Sequence, residues 1–163
     1  VSNFISTSSV LVRKECFEKV GMFDEALSYG EDFDLWIRIA SLYSIESIQE
    51  ILLKHKDHAN TTTSNNKIIS SNIERIIEKH KSLFMSNRKG LGNYLLKIGT
   101  AYCFDGDMKK GRQAILSAIK AYPQDARLYY NLFLTLPGAG FYKKMKILKA
   151  NAARTAFQKK AGG

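Results

Sequence analysis

The stretch G-M-F-D-E-A-L-S-Y-G-E-D-F-D-L-W-I-R, residues 21–38, decides how this chain is read. Gly21 ends what precedes it, and Phe23-Asp24-Glu25 belongs to a loop. Gly30-Glu31-Asp32 then opens a helix, because acids in a first turn meet the positive end of the helix dipole. That helix is predicted over residues 32–43. Phe33, Trp36, Ile37 and Ala40 fall on one face, and Leu35, Ile39 and Leu42 carry apolar surface round the other side. A helix this apolar is mostly buried. Asp34 and Arg38 stand four residues apart and read as a surface pair.

Working outward, residues 4–13 read as a loop entering a short strand at 10–12, and residues 13–20 as a short helix. After the central helix, the partial alternation of Ile45, Ile48, Ile51 and Leu53 predicts two short strands within 44–56. Residues 57–66 are polar and loop-like. One long helix is expected over 67–85, with Ile69, Ile73, Ile76, Ile77, His80 and Phe84 on one side. Residues 87–92 are rich in turn formers, and the domain boundary is placed near them. The division is 1–65, a connecting helix and turn at 66–91, a helical region at 92–148 and a basic tail at 149–163. The expected fold class is α+β, mostly helical.

The whole chain has 163 residues, 25 Lys+Arg and 15 Asp+Glu, for a net charge of +10. Its 45% hydrophobic and 25% charged residues suit a globular protein and argue against disorder or a collagen-like repeat. Two cysteines, Cys16 and Cys103, lie far apart outside any zinc-type spacing, which fits a reducing compartment. No apolar run reaches the ~18–20 residues of a membrane span. The charge is uneven. Residues 1–65 hold six Lys/Arg against ten Asp/Glu, a net −4; residues 66–163 hold nineteen against five, a net +14. Such a basic half reads either as a surface that attracts an anionic membrane or an acidic partner through its field, or as a solvated basic face with no specific partner. Lysines predominate and no nucleic-acid module is evident, which disfavours nucleic acid.

The linked motifs of residues 3–64 resemble the acceptor-side, C-terminal part of family 2 glycosyltransferases of the GT-A fold. The residues that carry the resemblance are Gly21, Phe23, Asp24 and Glu25, then Glu31, Asp32, Asp34, Leu35, Trp36 and Arg38. The flanking I-S-T-S-S-V-L-V-R-K-E and L-L-K-H-K-D-H-A-N-T-T-T stretches resemble the strand and loop leading in and the strand and His-bearing loop leading out. The resemblance implies an inverting transfer of a sugar from a nucleotide-sugar donor to a glycan or lipid-linked acceptor. Asp32 would be the general base, since an acceptor hydroxyl must lose its proton. Glu31 and Trp36 would bind the acceptor, Ser8 and Ser9 would lie on the donor-side loop, and His58 would bind a divalent metal, Mn²⁺ or Mg²⁺. Read as residues alone, Glu31 and Asp32 are helix-opening acids, and Trp36 is core.

The Asp-x-Asp that holds the metal in this family follows a buried strand. Neither Asp32-Phe33-Asp34, at a helix start, nor Asp105-Gly106-Asp107, at a turn, does so. The chain therefore reads as the C-terminal portion of a longer transferase, inactive by itself, cytoplasmic and peripheral on the inner face of the membrane. Residues 92–123 further resemble a tetratricopeptide repeat, a helical unit of ~34 residues. Leu95, Ile98, Gly99, Tyr102, Ile115, Ala118 and Pro123 fall at its signature positions. A generic helical hairpin reads equally well. A helical interaction module for protein or membrane surfaces, without catalysis, is the alternative function.

Overall fold

The computed structural model describes residues 5–54 and 65–161, with side chains through residue 152. A 3-10 helix at Thr7–Ser9 precedes eight α-helices: α1 Lys14–Val20, α2 Glu31–Ala40, α3 Asn66–Lys79, α4 Lys81–Ser86, α5 Arg88–Asp105, α6 Met108–Ala121, α7 Ala126–Leu134 and α8 Ala139–Ala161. Short polar side chains start several of them. Asn65 accepts from the Lys67 and Ile68 amides, Asn87 from Gly90, Asp107 from Lys110 and Asp125 from Arg127. Each satisfies donors that the first turn cannot pair internally.

The expected α+β class is corrected by this architecture: among the described residues there is no strand and no sheet. Val10 does have extended backbone, at φ −113° and ψ 144°. Yet Val10 and Val12 pack on the α1–α2 core while Leu11 is fully exposed. A strand exists only through a pairing neighbour, and no described segment supplies one. The alternating residues Ile45, Ile48, Ile51 and Leu53 fail for the same reason; all four are exposed.

The long helix expected over 67–85 is two helices. His80 separates them with φ −113° and ψ 34°. The central helix ends at Ala40, before the expected Tyr43, and Leu42 is exposed. Asn87 starts α5 where a turn-rich break was expected, and Gly90 and Gly92 are buried within that helix.

Helix α2 sits between two layers. Leu35, Trp36 and Ile39 pack with Cys16 against α1. Phe33 faces the other way, packing with Leu27, Ile76 and Phe84. Its ring stacks on Tyr94 with centroids 5.1 Å apart and meets Phe84 edge-on at 6.5 Å. Burying both sides of a ten-residue helix fixes its rotation, which sets where its acids point.

Beyond α4, a third core gathers Cys103, Ile115, Leu134 and Tyr142. Here α5 and α6 form a tight hairpin that turns at Gly106-Asp107. The close approach depends on Gly99 and Gly111. A Cβ on Gly99 would come within 2.7 Å of Ile115 Cγ1 and 2.9 Å of the Gly111 carbonyl oxygen. Gly99→Ala is therefore expected to destabilise the fold by about 2 kcal/mol through overpacking. In a thermal melt that is a fall of roughly 4–8 °C. Gly140→Ala, in α8 with open space around the new methyl, is the control and should hold or raise the midpoint. Equal midpoints for the two variants would show that the hairpin yields without strain.

Candidate functional site

The loop between α1 and α2 is bound on several sides. At the end of α1, Gly21 takes φ 81° and its amide donates to the Phe17 carbonyl. The Arg38 guanidinium donates to the carbonyls of Val20, Gly21 and Met22, the last at 2.7 Å. Asp24 accepts from the Ala26 amide at 3.0 Å and from Lys79 Nζ at 2.7 Å. Arg75 donates to the Ala26 carbonyl, and Asn72 accepts from the Ser28 amide at 3.0 Å. Gly30 then enters α2 with left-handed backbone, φ 75°. Any Cβ there would press on Ile76 Cδ1 at 2.9 Å. The Gly-x-Phe-Asp-Glu loop and the α2 start are thus fastened to α3.

Asp34 is the centre of this fastening. Its side chain is fully buried, and Arg38 Nε donates to it at 2.9 Å. Lys79 Nζ lies 2.9 Å from Oδ1, and His80 Nε2 lies 2.8 Å from the same oxygen. The expected surface pair of Asp34 and Arg38 is real as a pair but buried, because the end of α3 closes over it. Burial pushes the Asp34 carboxyl up, but hydrogen bonds from His80, Lys79 and Arg38 outweigh it and hold the group below the usual 3.8. Burial opposes the charge on Lys79, yet its bonds to Asp24 and Asp34 raise it above the usual 10.5.

Asp32 points elsewhere. Residues two apart on a helix face nearly opposite directions, so packing that drives Asp34 inward turns Asp32 toward the 3-10 helix. Asp32 is half-buried. Thr7 Oγ1 donates to its Oδ2 at 3.3 Å, and the Phe33 amide lies 2.7 Å from Oδ1. The structure therefore brings the 3-10 helix and Asp32 together. Glu31 is half-buried in the same first turn. Ser8 and Ser9 are exposed, and Ser9 Oγ donates to the Ser6 carbonyl at 2.8 Å. Thr7 was missed. It belongs to the same run of hydroxyl residues, and only the 3-10 turn decides which hydroxyl meets Asp32.

Trp36 lies in the α1–α2 core at 6% exposure, its Nε1 buried without a hydrogen-bond partner. His58 lies outside the described residues. Among the described residues no group of three or more His, Cys, Asp or Glu side chains converges as a metal site. Asp34, already paired with the Arg38 and Lys79 cations, cannot serve as a cation ligand. The described donors therefore do not fit a divalent metal.

Sequence relatives bear on what this arrangement does. The chain is 37% identical over 62 residues to an uncharacterized glycosyltransferase of Rickettsia prowazekii, covering 38% of the chain and 20% of the relative. It is 34% identical over 62 residues to one of Rickettsia typhi, with the same coverage. A third, from Rickettsia felis, is 35% identical over 51 residues, 31% of the chain and 8% of the relative. Over that stretch the chain is related to glycosyltransferases. The match spans about a fifth of the first two relatives. No protein-family profile matches the chain, and no solved structure does.

Proposed function

We propose that this chain contributes the acceptor-side part of an inverting glycosyltransferase, with Asp32 as general base. The sugar would pass from a nucleotide-sugar to a glycan or lipid-linked acceptor. The observation that carries this reading is the division of labour between two carboxylates. Asp34 is spent on Arg38, Lys79 and His80. Asp32, two residues earlier, is half-buried beside a threonine hydroxyl on the opposite side of α2. The glycosyltransferase relatives supply the reaction class.

In the proposed step Asp32 takes the proton of the acceptor hydroxyl as its oxygen bonds to the anomeric carbon. The bond from that carbon to the diphosphate breaks on the far face, and the nucleoside diphosphate leaves with the electron pair. The Thr7 hydroxyl orients Asp32 by donating to one oxygen. A base held in place in this way contributes on the order of 10²–10⁴-fold. Glu31, in the same first turn, contacts the acceptor.

The test uses the whole polypeptide that contains this chain. Given a panel of nucleotide-sugars and glycan or lipid-linked acceptors, it should release nucleoside diphosphate in step with glycan formed. The 163-residue chain alone should be silent. Glu31→Gln should raise the acceptor KM about tenfold, a charge-assisted hydrogen bond's worth, with the donor KM unchanged. A change confined to the donor KM would remove the acceptor-side assignment, and an absence of transfer with every donor would remove the reaction class.

A further inference from the structure

From residue 126 to the end the chain carries eight Lys/Arg and no Asp or Glu. The same region leaves large apolar side chains in water. Helix α7 buries Leu128, Asn131 and Leu134. Tyr129 and Phe133, one turn apart, are 47% and 65% exposed, and Leu136, in the turn that follows, is 64% exposed. Tyr129 and Phe133 share one face of α7, and Leu136 follows in the turn, its amide donating to the Phe133 carbonyl at 3.0 Å. Lys149 from α8 sits with its Nζ 4.9 Å from the ring centre of Tyr130 on the same helix. Lys143 and Lys144 stand on the first turns of α8, just past the α7–α8 turn.

We propose that the exposed side of α7, the turn at Leu136 and Lys143, Lys144 and Lys149 of α8 form a docking surface for an anionic lipid bilayer. Charge complementarity selects this occupant. A bilayer offers acidic headgroups for the lysines and an apolar layer beneath them for Phe133 and Leu136, a pairing that a nucleic-acid backbone does not provide. Attachment is to the surface: among the described residues no helix is long and apolar enough to cross a membrane. Arg127 is held by Asp125 at its own helix start and Lys146 Nζ turns inward to Asn131 at 3.1 Å, so the outer lysines of α8 carry the attraction. The surface does not depend on the role given to Asp32.

The test is co-sedimentation of the chain with vesicles of phosphatidylcholine alone or with about one-third phosphatidylserine. Binding is expected to the mixed vesicles and to be weak on the neutral ones. Joint Lys143→Gln and Lys144→Gln should lower the partition about 25-fold, near five-fold for each lysine. Joint Phe133→Ser and Leu136→Ser should lower it on the order of tenfold. Circular dichroism verifies that both variants fold. Equal binding to neutral vesicles, no sedimentation, or full binding by the Phe133→Ser and Leu136→Ser protein would each overturn the proposal. So would tight binding to a DNA duplex with none to vesicles.

Discussion

Asp34→Ala is expected to cost about 3 kcal/mol of stability. The substitution removes the buried carboxylate on which Arg38, Lys79 and His80 converge and leaves the Arg38 and Lys79 charges without their counterpart. The cost sits at the low end for a broken buried pair because the side chain of Lys79 keeps 35% exposure and its bond to Asp24. In a chain of this length that is a loss of roughly 6–12 °C in thermal midpoint.

The dependence on pH supplies a second readout. The folded Asp34 carboxyl titrates below its ordinary 3.8, so its contribution is whole above that value and is lost as pH falls through the folded one. Lys79 titrates above its ordinary 10.5, so its contribution is whole below that value and fades as pH rises through the folded one. The unmodified protein should hold a plateau between these limits and fall away in acid. Asp34→Ala should be lower on the plateau and shallower in acid. If both proteins lose midpoint equally between neutral pH and pH ~3, the buried network does not stabilise the fold in the way linkage requires.

Asp32→Asn is the companion result, with the opposite profile. Under the proposed function, turnover by the whole polypeptide is expected to fall on the order of 10²–10⁴-fold, the usual contribution of a positioned base. Stability should hardly move, since a first-turn acid is worth roughly 0.3–1 kcal/mol through the helix dipole. Donor binding, followed by quenching or calorimetry, should persist. Wild-type turnover in this variant would dismiss Asp32 from the chemistry. A large loss of midpoint would mean that Asp32, like Asp34, holds the fold. Two acids two residues apart, one governing stability and the other turnover, make a sharper test than either alone.

Much of the local structure was legible because its causes are local. Gly21 ends α1, the acids at 31 and 32 open α2, and Gly106-Asp107 turns the hairpin. The approach of α5 and α6 at Gly99 could be read from one missing side chain. Asp34 could not be read as buried, because Lys79 and His80 come from 45 and 46 residues away. His80 also explains the break between α3 and α4, where it leaves helical geometry and meets Asp34. The alternation over 44–56 was a pattern without a neighbour, and pattern alone does not make a strand. Thr7 was hidden among equivalent hydroxyls, since the choice rests on backbone geometry.

The separate cores place one free thiol in each half of the protein. Cys16 lies under α2 at 6% exposure, and Cys103 lies inside the hairpin at 0%, its thiol pushed up by burial to about 11. Both are protected from electrophiles while their surroundings stay closed. The chain thus carries two natural clocks: alkylation of Cys16 times the opening of the α1–α2 layer, and alkylation of Cys103 times the parting of α5 from α6. Whether the two run together or apart tells whether the acidic half and the basic half breathe as one body.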